Sequence, residues 1–438
     1  MNILIVSHFY EIDGVMGSVR WTSFAHRLAK ENNIYVVTHK NDISEPIVVE
    51  NRNGITVINI DNECNYVKRG KKITTQANKP ETVVLEKTEV NKSPSSIKNI
   101  LRSLLYVSSM IKSAKKNTKR ILDYFSNNQI SLDCVITTSR PFIDAFLGYY
   151  LIRKIHKPWI LDQRDLQHND GASDFTISYY SNWFRKMDKF VSAYTLVSHG
   201  MAESFAKDCS FSEKSQNKII VLHNGYNKEA SAKASSKSRK NCITISYVGD
   251  MYLGRRDADM LFAAIKRVIT KNPEISEKNF CVAYAGREGA VVKLQAQKYG
   301  IESVVHDHGF VSHAESIRIQ HEADLLLLLT WNTEMDRGIL PGKFYEYMMA
   351  EKPIICITCG SVPNGEAEKM VNDINLGIAV NQINYNSDIN RLAYYLTVQL
   401  NNKREENELV FTPNKEMVSE FDYDNLTQKL NGIIEAIT

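Results

Sequence analysis

Two separate series of strand-length apolar segments, each alternating with helix-length amphipathic segments, constrain this chain more than any other feature. Such alternation is typical of parallel sheets built from strand-helix-strand units. A polar, lysine-rich stretch at residues 228–241, KEASAKASSKSRKN, separates the two series and has nothing to bury. The pattern therefore predicts an α/β chain of two doubly wound, Rossmann-like domains joined by a linker.

The predicted strands can be read directly from the sequence. Those of the first series are NILIVS, IYVVTH, ITVINI, CVITT, WILD, YTLVS and IIVLHN, and those of the second are ITISYVG, FCVAYAG, DLLLLLT, PIICIT and GIAV. With 438 residues, of which 43% are hydrophobic and 24% are charged, the chain is long enough for two domains with separate cores. We predict an N-terminal domain over residues 1–227, the linker over 228–241 and a C-terminal domain over 242–415.

Glycine-rich loops follow several of these strands. In doubly wound folds, ligands bind beyond the carboxyl ends of the strands, where helix N-termini attract anions. The first predicted strand leads into HFYEIDGVMGSVRW, in which Gly14 and Gly17 precede a helix. The first strand of the second series leads into VGDMYLGRRDADM, which places two arginines at a helix start. One such loop is weak evidence for a ligand site, but several together strengthen it.

The stretch GILPGKFYEYMMAEKPIICI, residues 338–357, places a cation and a carboxylate on one helix face. Lys343 and Glu346 are three residues apart, so their side chains are neighbours on a helix. They are either a solvated ion pair, worth a few tenths of a kcal/mol, or parts of an anion-binding site at the helix start.

These segments resemble the GT-B glycosyltransferases, and among them glycosyltransferase family 4, particularly its branch that builds bacterial surface polysaccharides. The resemblance covers nearly the whole chain, and it rests on the glycine loop through Arg20 and on PWILDQRDLQ, VLHNGYN, YVGDMYLGRRDADMLFAAI and LPGKFYEYMMAEKPIICI. It implies two Rossmann-like domains that face a cleft. The closing FDYDNLTQKLNGIIEAI is similar to the family's last helix, which implies that residues 416–438 cross back to the N-terminal domain.

The resemblance also implies roles for individual residues of the C-terminal domain. The glutamate in the position of Glu346 binds the ribose hydroxyls of a nucleotide sugar, a task that suits a carboxylate because it accepts two hydrogen bonds from a vicinal diol. Lys343 and Arg256 are expected to neutralise the diphosphate, whose charge develops as the sugar is transferred. Gly249 and Gly342 belong to the same loops and are expected to lie against the donor.

No metal or other cofactor is expected. The Asp-x-Asp signature of the other large glycosyltransferase fold is missing from suitable loops, and Asp257-Ala258-Asp259 is better explained as the capped start of a helix. Cations and a helix N-terminus are already present to meet the charge of the leaving group. The sequence therefore predicts a metal-independent transferase.

One position departs from the family pattern. The family's motif has two glutamates separated by seven residues, and the first of them contacts the donor sugar. Counting back from Glu346, its place is occupied by Gly338. Glu334 and Asp336 lie just upstream, and each is either a substitute for the missing glutamate or a solvated loop charge.

Several residues of the N-terminal domain are candidates for the acceptor side of the cleft. His8 follows the first strand, where it either contacts the acceptor hydroxyl or is a hydrogen-bonded histidine at a strand end. Asp165 is either a cleft residue or a helix cap, and Arg20 is either a cleft residue or a surface residue of the first helix. Gly14 and Gly17 complete this set.

The expected function is transfer of a sugar from a nucleotide-sugar donor, with UDP as the expected nucleotide, to a glycan or lipid-linked glycan in cell-surface polysaccharide synthesis. The resemblance implies retention of configuration. Two alternatives stay open, namely a sugar-nucleotide 2-epimerase of the same fold and a catalytically silent nucleotide-binding partner of another transferase. An epimerase needs no acceptor, and a silent partner releases no nucleoside diphosphate.

Basic residues are concentrated in residues 62–120, which hold 14 Lys and Arg against 4 Glu in a chain whose net charge is +4. From Ser96 onward this segment reads as an amphipathic helix. Its apolar positions are Ile97, Ile100, Leu101, Leu104, Leu105 and Ile111, and its basic positions include Lys98, Arg102, Lys112, Lys115 and Lys116. The segment is either a solvated face over a core helix or a surface for an anionic membrane.

The family's usual acceptor, a polyprenyl-diphosphate-linked glycan at the inner leaflet, favours the membrane. Nucleic acid is not expected, because no binding motif or aromatic platform accompanies the charge. The N-terminal residues lack the pattern of a signal peptide, and no apolar run reaches membrane-spanning length. We therefore expect a cytoplasmic protein, peripheral on the inner face of the plasma membrane.

Overall fold

A computed structural model of the chain describes residues 1–12, 16–40, 45–61, 97–166, 174–228 and 240–438. The chain divides into two units. Unit 1 contains residues 1–196, 205–221 and 429–438, and unit 2 contains residues 197–204 and 222–428. Most of the predicted linker, and residues 62–96 of the predicted basic insert, lie outside the described residues.

Unit 1 is built on an eight-stranded sheet with the order β3-β4-β2-β1-β5-β6-β7-β8. All neighbouring pairs are parallel except β3 and β4. The central strands are buried on both faces, which explains why they read as continuous apolar runs. The strands are β1 Asn2–Val6, β2 Asn33–Lys40, β3 Ile47–Arg52, β4 Ile55–Asp61, β5 Cys134–Thr138, β6 Trp159–Gln163, β7 Ala193–Leu196 and β8 Ile219–Val221.

The helices of the first half of the chain mostly connect successive parallel strands of this sheet. They are α1 Met16–Leu28, α2 Ile97–Asn127, α3 Ile143–Ile155, α4 Asp174–Met187, α5 His199–Asp208 and α6 Glu213–Gln216. The first residues of α5 belong to unit 2 and its remainder to unit 1.

Unit 2 is built on a six-stranded parallel sheet with the order β11-β10-β9-β12-β13-β14. Its strands are β9 Ile243–Val248, β10 Phe280–Ala285, β11 Val305–Asp307, β12 Leu325–Trp331, β13 Ile354–Cys359 and β14 Gly377–Asn381. Its helices are α7 Asp259–Lys271, α8 Gly289–Gln297, α9 His313–Glu322, α10 Gly342–Met349, α11 Glu366–Asp373, α12 Tyr385–Glu406, α13 Lys415–Ser419 and α14 Tyr423–Ile437, of which the last continues into unit 1.

The predicted strands are all present, and two further strands were not predicted. β3 is an antiparallel edge strand whose residues are only partly buried, so it lacks a continuous apolar run. β11 has three residues and lies at the other sheet's edge. Edge strands need less burial than central ones, and their sequences therefore carry a weaker signal.

Two leucines of the predicted apolar face of α2 are exposed. The side chains of Leu104 and Leu105 are 38% and 69% exposed, and the buried face begins at Val107 and Met110. The helix has 31 residues and is about 46 Å long, whereas α3, against which it packs, is about 20 Å long. Its first turns thus extend past the neighbouring helix.

Among the described residues, no helix is long and apolar enough to span a bilayer.

Candidate functional site

Residues from three segments of unit 2 form one connected cluster beyond the carboxyl ends of β9 and β12. The loop after β9 supplies Arg256, the segment after β12 supplies Asp336, and the start of α10 supplies Lys343. Carboxyl ends of neighbouring parallel strands meet at one sheet edge, so the topology brings these segments together. The cluster contains four of the residues that the sequence nominated, including Gly249.

Lys343 lies at the centre of this cluster. Its Nζ donates a hydrogen bond to the carbonyl of Val248 and lies 4.7 Å from the centroid of the Tyr247 ring. Burial lowers the pKa of Lys343 to about 7, and the charge of Arg256 contributes to this, whereas Glu346 and Asp250 act in the opposite direction. The neutral form of the Lys343 amine is therefore poised to gain a proton if an anion binds beside it.

Gly249 leaves room for this lysine. A Cβ at position 249 would lie 2.0 Å from Nζ of Lys343, and the backbone φ of +134° is one that other residues rarely adopt. A side chain at this position would displace the lysine. The glycine thus allows Nζ of Lys343 to approach the end of β9 closely.

Arg256 is buried, with 5% of its surface exposed, and stands among aromatic rings. Its Nη1 donates to the Tyr247 hydroxyl and to the Asp250 carbonyl, both at 3.3 Å. The guanidinium carbon lies 4.3 Å from the Tyr252 ring centroid and 5.4 Å from that of Trp331. Nε has no hydrogen-bond partner. The side chain is held by neutral groups rather than by a carboxylate, so its charge stays available to an anion.

Glu334 and Asp336, which the sequence left as equal alternatives, lie in different environments. Glu334 has a side chain that is 70% exposed and pairs with Arg337 at 2.5 Å, as expected for a solvated loop charge. Asp336 is buried, and its Oδ2 lies 3.4 Å from Nη1 of Arg255 and 3.4 Å from Nε1 of Trp331. Of the two carboxylates, Asp336 alone belongs to the cluster.

Gly338 cannot be replaced by a glutamate in this structure. Its φ is +69°, and a Cβ would lie 2.7 Å from Cα of Gly200 and 2.7 Å from Oγ of Ser198. The same Ser198 Oγ donates a 2.7 Å hydrogen bond to the Gly338 carbonyl. The close backbone approach explains why this chain departs from the family's motif at position 338.

The start of α10 is open to an anion. Pro341 occupies the N-cap without a side-chain hydrogen bond, and Gly342 follows as the first helical residue. The first backbone N–H groups of a helix lack internal partners and attract negative charge. Glu346 lies one turn further along, partly exposed, and its Oε2 accepts a 3.1 Å hydrogen bond from Nε2 of Gln320. The other carboxylate oxygen stays available to a ligand hydroxyl.

Comparisons with known proteins indicate the fold of the chain and the family of one of its domains. Residues 242–383 match the family model of glycosyl transferases group 1. Over 99% of this chain and 98% of the other, the structure is similar to sucrose-phosphate synthase from Thermosynechococcus elongatus, with a TM-score of 0.60 at 12% identity. The chain therefore has the GT-B fold, and its residues 242–383 match a glycosyltransferase domain.

Two further solved structures resemble this chain of GT-B fold. One is described as trehalose-6-phosphate from E. coli bound with UDP-2-fluoro glucose, with a TM-score of 0.62, 11% identity and full coverage of both chains. The other is the lipopolysaccharide outer core galactosyltransferase WaaB in its apo form, with a TM-score of 0.56, 13% identity, and coverage of 100% of this chain and 97% of that one. No curated protein sequence matches the chain.

In unit 1, His8 is buried next to a second histidine. Its ring stacks on that of His39, with centroids 4.4 Å apart, and its backbone N–H donates to Asp144 Oδ2 at 2.8 Å. Burial, helped by the charge of His39, lowers the pKa of His8 to about 4, and Asp144 acts against this. The ring is therefore neutral at pH 7, and its Nδ1 has no hydrogen-bond partner.

Arg20 is not a surface residue, so that alternative is wrong. It is 1% exposed and pairs with the equally buried Asp162 at 2.9 Å. Nε1 of Trp21 and Oγ1 of Thr195 also donate to this carboxylate, each at 2.8 Å. A buried carboxylate needs such partners, so Arg20 holds α1 against β6.

Three further residues of unit 1 were nominated by the sequence, namely Gly17, Asp165 and Gly14. Gly17 leaves room for Arg164, since a Cβ would lie 2.8 Å from its Nη1. Asp165 is exposed, and its carbonyl accepts a 2.8 Å hydrogen bond from Nε2 of Gln163. Gly14 lies outside the described residues.

Two groups of side chains in the described part of the chain have the composition of a metal site. His8, His39 and Asp144 form the first group, and His199, His223 and Glu366 form the second. In the first, Nε2 of His39 and Oδ1 of Asp144 already form a 3.0 Å contact. In the second, both oxygens of Glu366 accept backbone N–H groups at the start of α5, each at 2.9 Å. Both carboxylates thus have protein partners without a metal.

Several residues of these sites were missed by sequence reasoning. Tyr247 and Trp331 read as strand residues, although their side chains line the cations of unit 2. Gln320, on α9, became visible only through its contact with Glu346. His39 and Asp144 had a usable signal, since His39 ends the predicted strand IYVVTH and Asp144 comes six residues after the predicted strand CVITT, at the same sheet edge as His8.

Proposed function

We propose that the protein transfers a hexosyl group from a UDP-sugar to a glycan or a polyprenyl-diphosphate-linked glycan. The observation that carries this proposal is the convergence of Lys343, Arg256 and the open N-terminus of α10 at one sheet edge, with Glu346 one helical turn away. This set matches a nucleoside diphosphate, because the cations and amides suit the diphosphate and the carboxylate suits the ribose.

Sugar transfer breaks the bond between the anomeric carbon and the β-phosphate oxygen, which leaves negative charge on the nucleoside diphosphate. Arg256 and protonated Lys343 would meet that charge from fixed positions among aromatic rings. Groups that are already oriented need little reorganisation as charge develops, which is the main source of such stabilisation. The proposed donor thus has its leaving group, rather than its sugar, at the most basic part of the cluster.

The choice of UDP is supported by the comparison with a structure bound with UDP-2-fluoro glucose. The choice of a surface glycan as acceptor is supported by the comparison with the outer core galactosyltransferase and by the resemblance to family 4. Retention of configuration is likewise proposed on that resemblance. Metal independence is proposed because side chains and amides already supply positive charge for the diphosphate, and excess EDTA should then leave turnover unchanged.

A nucleotide panel tests the proposed function. We expect UDP and UDP-sugars to raise the melting temperature of the protein more than GDP, ADP or CMP and their sugar forms, since a ligand that binds the folded state stabilises it according to its affinity. UDP release from the stabilising donor should then require an added glycan or lipid acceptor. Binding of no nucleotide in the panel would contradict the proposal.

The same assay separates the alternative functions. An epimerase would convert UDP-N-acetylglucosamine to its manno epimer without acceptor. A silent partner would bind the nucleotide sugar and release no UDP with any lipid extract. Both results are incompatible with the proposed transferase.

We further propose that unit 1 binds an anionic membrane surface through α2 and its neighbours. Leu104 and Leu105 are exposed on the first turns of α2, and Lys112, Lys115 and Lys116 are exposed on the same helix. Further along, Nζ of Lys115 lies 5.3 Å from the Tyr150 ring centroid. Exposed leucines and lysines on one amphipathic helix are typical of a membrane interface.

Basic and aromatic side chains continue across the ends of α3 and α4. The Arg153 guanidinium lies 5.4 Å from the Tyr149 ring centroid, and Nζ of Lys186 lies 4.6 Å from that of Trp183. The rings of Tyr149 and Trp183 are themselves 5.9 Å apart. These contacts extend the basic surface beyond α2. Among the described residues, no carboxylate forms an ion pair with Arg153 or Lys186.

We expect salt-sensitive binding to anionic liposomes that is lost on neutral ones. Each basic residue near an anionic surface contributes about 1 kcal/mol, so Lys112→Gln with Lys116→Gln should weaken binding about tenfold or more. Leu105→Ser should weaken it about tenfold through lost apolar burial. Vesicle co-sedimentation at low and high salt measures these changes.

Matched controls lie in unit 2. Leu294 is 48% exposed, and Lys271 and Lys278 are exposed as well. Leu294→Ser and the double change Lys271→Gln with Lys278→Gln should leave vesicle binding unchanged. Equal recovery on neutral and anionic vesicles, or unchanged binding after neutralising the lysines from Lys68 to Lys116, would refute the membrane proposal.

A further inference from the structure

Asp336 is a buried carboxylate with one oxygen that has no partner. The residue is 7% exposed, and its Oδ1 is buried without any hydrogen bond. Its Oδ2, in contrast, lies 3.4 Å from both Arg255 Nη1 and Trp331 Nε1. Its backbone is fixed by a turn in which its N–H donates to Thr333 Oγ1 at 3.1 Å. The carboxylate is thus held in place with half of its acceptor capacity unused.

This arrangement is unfavourable for folding alone. A buried polar atom without a partner costs about 1–3 kcal/mol, and more when it is charged. Among the described residues, the cation that pairs with Asp336 is Arg255, whose side chain is half-exposed and whose contact is long, so it offsets little of this cost. Unsatisfied buried acceptors of this kind are typical of sites that a ligand completes.

The position of Asp336 connects it to the proposed diphosphate site. Trp331, which donates to its Oδ2, also lies 5.4 Å below the guanidinium of Arg256. Two residues further along, Gly338 cannot carry the glutamate of the family's motif, because a Cβ there would clash with the backbone of Gly200. Asp336 is therefore the buried carboxylate of this segment.

We propose that Asp336 recognises the sugar of the donor, and that its Oδ1 accepts a hydrogen bond from a hydroxyl or amide N–H of a neutral hexose. A uronic acid would bring a second carboxylate to the same place and be disfavoured. This inference rests on the proposed function, since it assumes a nucleotide sugar at the cluster. It assigns the specificity for the sugar to Asp336 and leaves the nucleotide to Lys343, Arg256 and Glu346.

A sugar reaches Oδ1 only if a neighbouring side chain moves. The side chain of Arg255 is 50% exposed and Tyr252 is 51% exposed, and both lie against Trp331, at 5.7 Å and 5.6 Å. These two are the cluster members with the least packing to restrain them. Their displacement by the donor would replace a long ion pair with a direct hydrogen bond to the sugar.

The test compares the binding of UDP, UDP-glucose, UDP-galactose, UDP-N-acetylglucosamine and UDP-glucuronate by titration calorimetry. In Asp336→Asn, which keeps the size of the side chain, we expect the Kd for UDP to stay within twofold. The Kd for the best neutral UDP-sugar should rise about tenfold or more, since a hydrogen bond to a charged group is lost. Glu334→Gln is the matched control, and its Kd values for UDP and for every UDP-sugar should equal those of the wild type.

Each outcome of this titration either supports or overturns the proposed role of Asp336. Wild-type protein should bind UDP-glucuronate at least tenfold more weakly than the best neutral sugar, and Asp336→Asn should narrow that gap. If Asp336→Asn leaves every ratio of UDP-sugar to UDP affinity unchanged, or if UDP-glucuronate binds as well as the neutral donors, the role of Asp336 is overturned while nucleotide binding stands. If the wild type binds neither UDP nor any UDP-sugar, the proposed donor itself is overturned, and the inference with it.

Discussion

Replacing Glu346 by alanine is expected to weaken UDP binding at least tenfold and to remove most turnover, with little change in melting temperature. Glu346 is partly exposed, and its side chain bonds to Gln320 at 3.1 Å, so truncation costs the fold one hydrogen bond near the surface. The nucleotide, in contrast, would lose both charge-assisted hydrogen bonds from its ribose diol, each worth about 1.5–3 kcal/mol.

A ligand change gives the matched control for this variant. 2′-Deoxy-UDP lacks one of the two hydroxyls, so wild-type protein should bind it more weakly than UDP. Glu346→Ala should bind the two ligands equally, because the residue that tells them apart has been removed. Wild-type turnover in Glu346→Ala, or a preference for UDP that survives in it, would contradict the assignment.

Sequence periodicity was sufficient for the sheets because their central strands are buried on both faces. β12 begins with five consecutive leucines, and β9 alternates apolar residues with Thr244 and Ser246. Both strands end where glycine or polar residues begin, and both ends lie at the cluster. The assignment of Lys343 and Arg256 to one diphosphate site, in contrast, was implied by the family resemblance and not by periodicity. Contacts between loops at one sheet edge follow from parallel topology, which the sequence pattern does specify.

Side-chain environment within that edge could not be predicted. Glu334 and Asp336 are two residues apart in one loop, yet one pairs with Arg337 at the surface and the other is buried beside Trp331. A loop has no period that assigns a residue to the inside. Arg20 shows the same limit, since its burial depends on Asp162, which is 142 residues away in the chain.

The exposure of the first turns of α2 could not be predicted for a related reason. Their apolar spacing is helical, and the helix is present, but helical spacing does not say whether a partner element is long enough to cover it. Leu105 is exposed because α3 is the shorter helix. An uncovered apolar position of this kind is visible only after packing is known.

Lys343 is expected to make UDP binding depend on pH. In the protein without ligand, burial and Arg256 hold the pKa of Lys343 at about 7, so the group is mostly neutral at pH 8. A bound diphosphate favours the charged form and raises that pKa toward its ordinary value near 10.4. Binding above pH 7 is therefore coupled to uptake of one proton. Below pH 7, the lysine is already charged in both states and the coupling disappears.

This proton uptake determines the direction in which the Kd for UDP changes with pH. As pH rises from 7 to 8.5, the Kd for UDP should increase by up to tenfold per pH unit, because the proton that binding requires becomes scarcer. Titration calorimetry at pH 8 in buffers of different ionisation enthalpy should show uptake of close to one proton. Lys343→Met should bind UDP weakly, with no proton uptake and with a Kd that is flat over this range. Proton uptake that persists in Lys343→Met would place the titrating group elsewhere, and a flat profile in the wild type would mean that the diphosphate does not bind beside Lys343.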